Sequence, residues 1–298
     1  VRIFTENFID LLSNYPLANQ EHPLMETNAT PNHGLPFKGS MKIYYILSIV
    51  IAVLTAAAAV VSLLNPAAYY PQETLRQSLL PNDVVNLVIG LPILLLSMGL
   101  TARGKLVGLL FWPGALFYPV YNYTVYLFAL PHTALFTVYL ALVALSAYAL
   151  IGLVAGIDKQ SVGRRLEDRV PEKFAGGIAA AFGIIFIVRV IAVSAGAALD
   201  QSALPAAELG TLISDFLISP AMILGGIMLW QKKALGYTAG LGLLFQASML
   251  FIGLILLMVL QPLMFEGLFS LADVLIVAVM GLICFVPFGM YLRGVTKK

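Results

Sequence analysis

Apolar stretches of about twenty residues recur along this chain, and each is long enough to cross roughly 30 Å of hydrocarbon as a helix. They fall at about residues 43–64, 83–100, 106–129, 134–157, 174–197, 211–230, 235–260 and 271–292. That recurrence excludes most architectures before any motif is read. A transmembrane barrel would instead show segments of about ten residues with alternating polarity. A water-soluble core has no use for so much apolar surface. Hydrophobic residues make up 60% of the chain and charged residues 11%, against about 25% charge in ordinary soluble domains. The expected fold is all-α, a polytopic membrane helix bundle of eight transmembrane helices.

The basic residues orient that bundle. Arg103 and Lys105, the group from Lys159 to Lys173, the Lys232-Lys233 pair, and Arg293 with Lys297 and Lys298 all fall in loops or ends on one side. Arg2, Lys38 and Lys42 join them there. Arg76 stands alone in an opposite-side loop, and Arg189 stands within a span. An eight-span path with both termini in the cytoplasm follows. Residues 1–40 carry Pro, Asn, His and acidic residues and no insertable run, so they read as a disordered tail or an upstream extension of the reading frame. Residues 41–157 form a first four-helix half, 158–173 a cytoplasmic linker, and 174–298 a second half. The first span is longer than the core of a signal peptide and is expected to be retained. In the linker, Val162, Leu166 and Val170 recur at every fourth position. This suits either a short helix lying on the membrane surface or a solvated connection.

The halves echo each other. Asp83 and Asp215 stand 132 positions apart, and Gly104 with Gly236 and Gly108 with Gly240 share that offset, whereas Pro92 and Pro220 align only with a shift of four. A 4+4 parallel internal repeat is the expectation, its axis along the membrane normal.

Chemistry is sought where polar groups sit in lipid. Arg189 lies inside the fifth apolar segment, where an arginine near mid-membrane costs roughly 2.5–3.5 kcal/mol and faces a partner in the bundle. Asp215, on the next segment, is the expected partner, with Asp83 or Asp273 as second choice. Three readings stand: a buried ion pair that fixes helix packing, an anion-binding or proton-coupled pocket open to the outer face, or an arginine that snorkels outward with no specific partner. Asn86 is one turn beyond Asp83. Asn122, between Tyr121 and Tyr123, and Tyr126 one turn further bring amides and phenols to the same depth from the third segment. They form either an aromatic belt or the lining of a pocket that orients a small solute. Tyr69 and Tyr70 read as interfacial anchors, and Gln246 as one end of an interhelical hydrogen bond. Pro113 and Pro119 in one segment mark either a discontinuous helix or a kinked one.

Other classes lack their signatures. A formal net charge of +2 is too small to suggest nucleic acid as a partner. The single cysteine, Cys284, rules out an intrachain disulfide and a cysteine-based metal cluster. No phosphate-binding glycine loop, helical His-Glu pair or nucleophile elbow occurs, so neither catalytic residues nor a cofactor or metal is expected, and the chain is not read as an enzyme.

Asn82-Asp83 leading to Leu91-Pro92, Tyr121-Asn-Tyr123 with Tyr126, and Asp215 to Pro220 followed by Leu235-Gly-Tyr237 together resemble a group of uncharacterised multi-pass integral membrane proteins of bacteria and archaea. The resemblance covers most of residues 41–298. It implies the plasma membrane of a prokaryote and no particular activity or ligand. The residues themselves point to transporter-like passage or binding of a small polar or anionic solute at an outward-facing site. A non-transporting membrane subunit or sensor with a structural polar cluster is the alternative. The lipid bilayer is the partner in either case.

Overall fold

A computed structural model of the chain describes residues 34–130, 133–265 and 269–297. Contacts divide the chain into two units, Val1–Thr30 and Pro31–Lys298, and the account that follows concerns the second. Its long helices are α1 (Lys42–Leu64), α5 (Leu106–Ala129), α6 (Phe136–Gly156), α8 (Glu172–Leu199), α9 (Ala206–Trp230), α10 (Ala234–Met264) and α11 (Leu271–Thr296). Two further helices, α3 (Glu73–Val85) and α4 (Leu91–Ala102), run together through a π-helical turn at Asn86–Gly90. The short helices α2 (Pro66–Tyr69) and α7 (Lys159–Leu166) complete the set.

Seven of these helical stretches are long and apolar enough to cross a membrane: α1, Glu73–Ala102, α6, α8, α9, α10 and α11. The chain is a multi-pass, all-helical membrane protein. The eighth expected span, α5, is not among these seven. That helix is 24 residues long, but its tyrosines, prolines and Asn122 dilute its hydropathy. It is the centre of the bundle, packed against α4, α6, α9 and α10, and most of it is buried. A central helix meets protein rather than lipid, so it tolerates polar side chains that a lipid-facing helix does not.

Glycines set the closest approaches. A Cβ on Gly114 of α5 would lie 2.5 Å from the Cα of Gly242 on α10, so the two helices touch backbone to backbone. Gly108 presses on the backbone of Leu100 and Thr101 at the end of α4, and Gly236 presses on Met228 and Leu229 at the end of α9. Between α4 and α5 the turn is closed by Gly104 at φ +70°, a conformation that costs glycine little.

Three local expectations change. Pro113 and Pro119 leave α5 one continuous helix, so the discontinuous reading does not hold. The second span starts at Glu73, before residue 83, and Pro92 is accompanied by a π-helical turn over Asn86–Gly90. Proline has no N–H to give the carbonyl one turn back, and an i→i+5 turn accommodates that gap. The expected disorder through residue 40 also fails at its end. Leu35 and Phe37 are buried, Lys38 N–H donates to the Gly156 carbonyl at 2.8 Å, and Asp158 N–H donates to the Pro36 carbonyl at 2.8 Å. The rest of that expectation falls on residues outside the described ones.

In the connection between α6 and α8, Val162, Leu166 and Val170 are buried, while Arg164 and Arg165 are exposed. The apolar stripe of α7 packs on the start of α10, with Gly163 beside Ala234. Its fourth-residue periodicity therefore reports contact with the bundle instead of with lipid. Cys284 is buried and free.

Candidate functional site

Asp83 sits on α3 and is 2% exposed. Three hydroxyls donate to its carboxylate: Ser62 from α1 at 2.7 Å, Tyr70 from the end of α2, and Tyr126 from α5 at 2.9 Å. No cation joins them among the described residues. Hydroxyl donors from three elements thus stand where a counter-charge would, and a buried carboxylate requires such donors. Burial first, and the neighbouring Asp83 second, push the Tyr70 phenol up, so it stays a donor. Tyr70 is fully buried, which corrects its reading as an interfacial anchor.

One residue back along α3, Asn82 Nδ2 donates to Asn122 Oδ1 at 2.7 Å and to the Tyr126 hydroxyl at 3.1 Å. Asn122 Nδ2 in turn donates to Asn86 Oδ1 at 2.9 Å, which also accepts from the Tyr118 hydroxyl at 2.8 Å. The Asn86 amide nitrogen is buried with no hydrogen-bond partner among the described residues. Beside it lies a space of about 10 Å³, room for about one water molecule. Its walls include Thr55, Asn86, Gly90, Tyr118 and Tyr123.

The second cluster stands on another side of α5. Arg189 donates from Nη1 to Asp215 Oδ2 at 2.6 Å, while Glu208 Oε1 is 3.7 Å from Nη2. Asp215 is almost wholly buried, with its side chain 3% exposed, whereas the Arg189 side chain keeps 37% of its surface. The Tyr121 hydroxyl donates to Asp215 Oδ1 at 3.0 Å, and Ser214 Oγ donates back to the Tyr121 carbonyl at 3.1 Å. Tyr121 and Asn122 are consecutive on α5 and serve different clusters, because successive helical side chains point about 100° apart.

The residues expected from sequence are therefore only partly brought together. Arg189 meets Asp215 as expected. Asp83, Asn86, Asn122 and Tyr126 form one network, and no hydrogen bond or ion pair joins Asp83 to Arg189 among the described residues. Asp273 belongs to neither: it is exposed in the first turn of α11, its N–H capped by Ser270 Oγ at 3.3 Å. Gln246 does not make the expected interhelical bond, since both its amide atoms are buried with no partner among the described residues.

Sequence reasoning missed Ser62, Tyr118 and Glu208. For Tyr118 a signal was present, because Tyr118, Asn122 and Tyr126 recur every four residues and share a helix face. Ser62 and Glu208 near helix ends carry none, as such positions ordinarily face water or headgroups.

Among the described residues, no three His, Cys, Asp or Glu side chains gather to hold a metal ion. No family model, curated protein or solved structure matches the chain.

Proposed function

We propose that this chain is a transporter-like protein that crosses the membrane eight times and binds a small polar solute where the two networks flank α5. The observation that carries the reading is the polar character of the central helix. Tyr118, Tyr121, Asn122 and Tyr126 engage side chains of α3, the π-helical turn and α9, so a polar seam runs where a merely structural helix would be apolar. A solute enters such a seam by replacing hydrogen bonds already made there.

Charge narrows the solute class. Asp215 and Glu208 face Arg189, so two carboxylates meet one guanidinium, and Asp83 adds a third acid in the other network. The excess of acid in each network, Asp83 with no cation among the described residues in one and two carboxylates to one guanidinium in the other, favours a neutral or cationic solute over an anion. The residues proposed to bind it are Asp83, Asn86, Asn122, Tyr126, Asp215 and Arg189.

A 4+4 parallel repeat belongs to the same proposal, in a register one helical turn from the offset between Asp83 and Asp215. Gly108 and Gly236 stand 128 positions apart and do the same job at the α4–α5 and α9–α10 turns. Gly114 and Gly242, also 128 apart, touch each other, as equivalent points beside a symmetry axis do. Pro92 and Pro220 share the offset.

The rival reading, a structural cluster in a non-transporting subunit, draws support from the near-complete pairing of its acids and from a cavity sized for one water. Uptake into proteoliposomes, screened over amino acids, polyamines, sugars and organic acids, separates the two. A transporter takes up at least one solute, and Asp83→Asn and Asp215→Asn each abolish that uptake while the protein remains folded. Uptake that persists unchanged in both variants removes these residues from the site.

A further inference from the structure

At the end of the bundle where the basic residues gather lies an open cavity of about 280 Å³, lined in part by Gln160, Arg164 and Glu167 of α7 and its exit, with Lys232 and Tyr237 opposite. We infer that this cavity binds the headgroup of a phospholipid that carries both a phosphate and a primary ammonium, as phosphatidylethanolamine does.

Several observations carry the assignment. Its depth is that of the headgroups: Trp230, 53% exposed, is two residues before Lys232, and an exposed tryptophan beside a basic turn marks the membrane–water boundary. The α7 wall is fixed. Asp158 caps α7 by accepting from Ser161 N–H at 3.2 Å, and Val162 and Leu166 bury the helix's other face. Lys232 is held by Asp168 at 2.6 Å. Across from it, the Arg164 guanidinium makes no hydrogen bond or ion pair among the described residues, so its fork of donors is uncommitted and suits phosphate oxygens.

Charge then selects the headgroup. Arg164 and Lys232 supply two positive charges, against Glu167 in the lining, Asp168 on Lys232 and Glu172, which accepts from the lining Tyr237 hydroxyl at 3.0 Å. A pocket whose carboxylates more than match its cations does not call for a net anion. It matches a zwitterion, with the phosphate toward Arg164 and Lys232 and the ammonium toward the Glu167 carboxylate. A quaternary ammonium has no N–H to donate to that carboxylate, so the pocket distinguishes ethanolamine from choline.

Native mass spectrometry of the purified full chain in detergent, with added phosphatidylethanolamine, phosphatidylcholine or phosphatidylglycerol, tests the assignment. The ethanolamine lipid is expected to bind roughly tenfold more tightly than either of the others, the scale of one charge-assisted hydrogen bond. Glu167→Gln removes its advantage over the choline lipid. Arg164→Gln weakens all three, and both residues are exposed, so the fold is unaffected. Asp168→Asn breaks the same ion pair as a change at Lys232 would but keeps the lysine charge, and so retains phosphate binding. Equal binding of the three lipids by the wild type overturns the inference, as does an ethanolamine preference that survives Glu167→Gln. Glycerophosphoethanolamine, the soluble headgroup without acyl chains, is run alongside; if it binds as tightly as the lipid at equal concentration, the occupant is a soluble metabolite and the lipid assignment fails.

Discussion

Arg189 and Asp215 meet at 2.6 Å across the α8–α9 contact, the arginine side chain more than a third exposed and the aspartate side chain almost wholly buried. The asymmetry sets what each half of the pair costs when its partner is lost. Removing Arg189 strands a buried charge, whereas removing Asp215 leaves an arginine that reaches solvent, headgroups or Glu208.

Arg189→Met should therefore destabilise the protein more than Asp215→Leu. The expected loss is about 1–3 kcal/mol, below the range for fully buried pairs because the arginine side chain is partly exposed. The double variant should recover most of it. Thermal denaturation in detergent measures all three, and additive losses in the double variant would count against a coupled pair.

Contact between Gly114 and Gly242 predicts a sharp position dependence. Gly114→Ala forces α5 and α10 apart and should cost about 1–3 kcal/mol as overpacking. Gly253→Ala, further along α10 where an added Cβ meets nothing within 4 Å, should instead stabilise by up to about 1 kcal/mol through helix propensity. Melting temperatures that move in opposite directions are the expected result; equal shifts would mean that the glycine contact is not tight.

Around Asp83 the donors are unequal in location but alike in role. Tyr70→Phe and Tyr126→Phe each delete a hydrogen bond to the acid while keeping the ring, and each should cost about 1.5–3 kcal/mol, the range for bonds to charged groups. Tyr126→Phe should cost the more, since that hydroxyl also accepts from Asn82 at 3.1 Å. Denaturant midpoints of the two variants, compared at constant m-value, check the order.

Acid should loosen the N-terminus of α7. The Ser161 hydroxyl and N–H hold the Asp158 carboxyl below the usual carboxylate range. A group whose folded pKa is depressed stabilises the fold above its unfolded value, near 3.9, and that contribution fades as pH falls through the folded value. Amide exchange at Ser161 and Val162, corrected for intrinsic rates, should be protected at pH 6 and lose protection below about pH 4. Asp158→Ala should show the unprotected rate throughout.

Much of this was legible in the chain itself. Apolar runs of spanning length gave the helices, because burying backbone amides in lipid leaves helix or barrel as the only solutions, and the pairing of Arg189 with Asp215 followed from neighbouring antiparallel spans at one depth. Less legible was the partition of the polar residues. The apolar pattern gives Asp83 and Arg189 one expected depth, yet they belong to separate networks that meet α5 through Tyr126 and Tyr121, and a one-dimensional pattern carries no azimuth. Tyr70 illustrates the same gap: beside a helix end a tyrosine is normally a belt residue, and only the fold of α2 back toward α3 turns it onto Asp83.

Sequence alone determined that the chain is a helical membrane protein and which polar residues interrupt its apolar runs. Hydrophobicity and length are local properties and need no neighbours to act. Tertiary structure decided that α5 is the core, that the two acids hold different partners, and that α7 packs on the bundle and walls a cavity. These outcomes depend on which helix faces touch, as where Gly114 meets Gly242, 128 positions further along the chain.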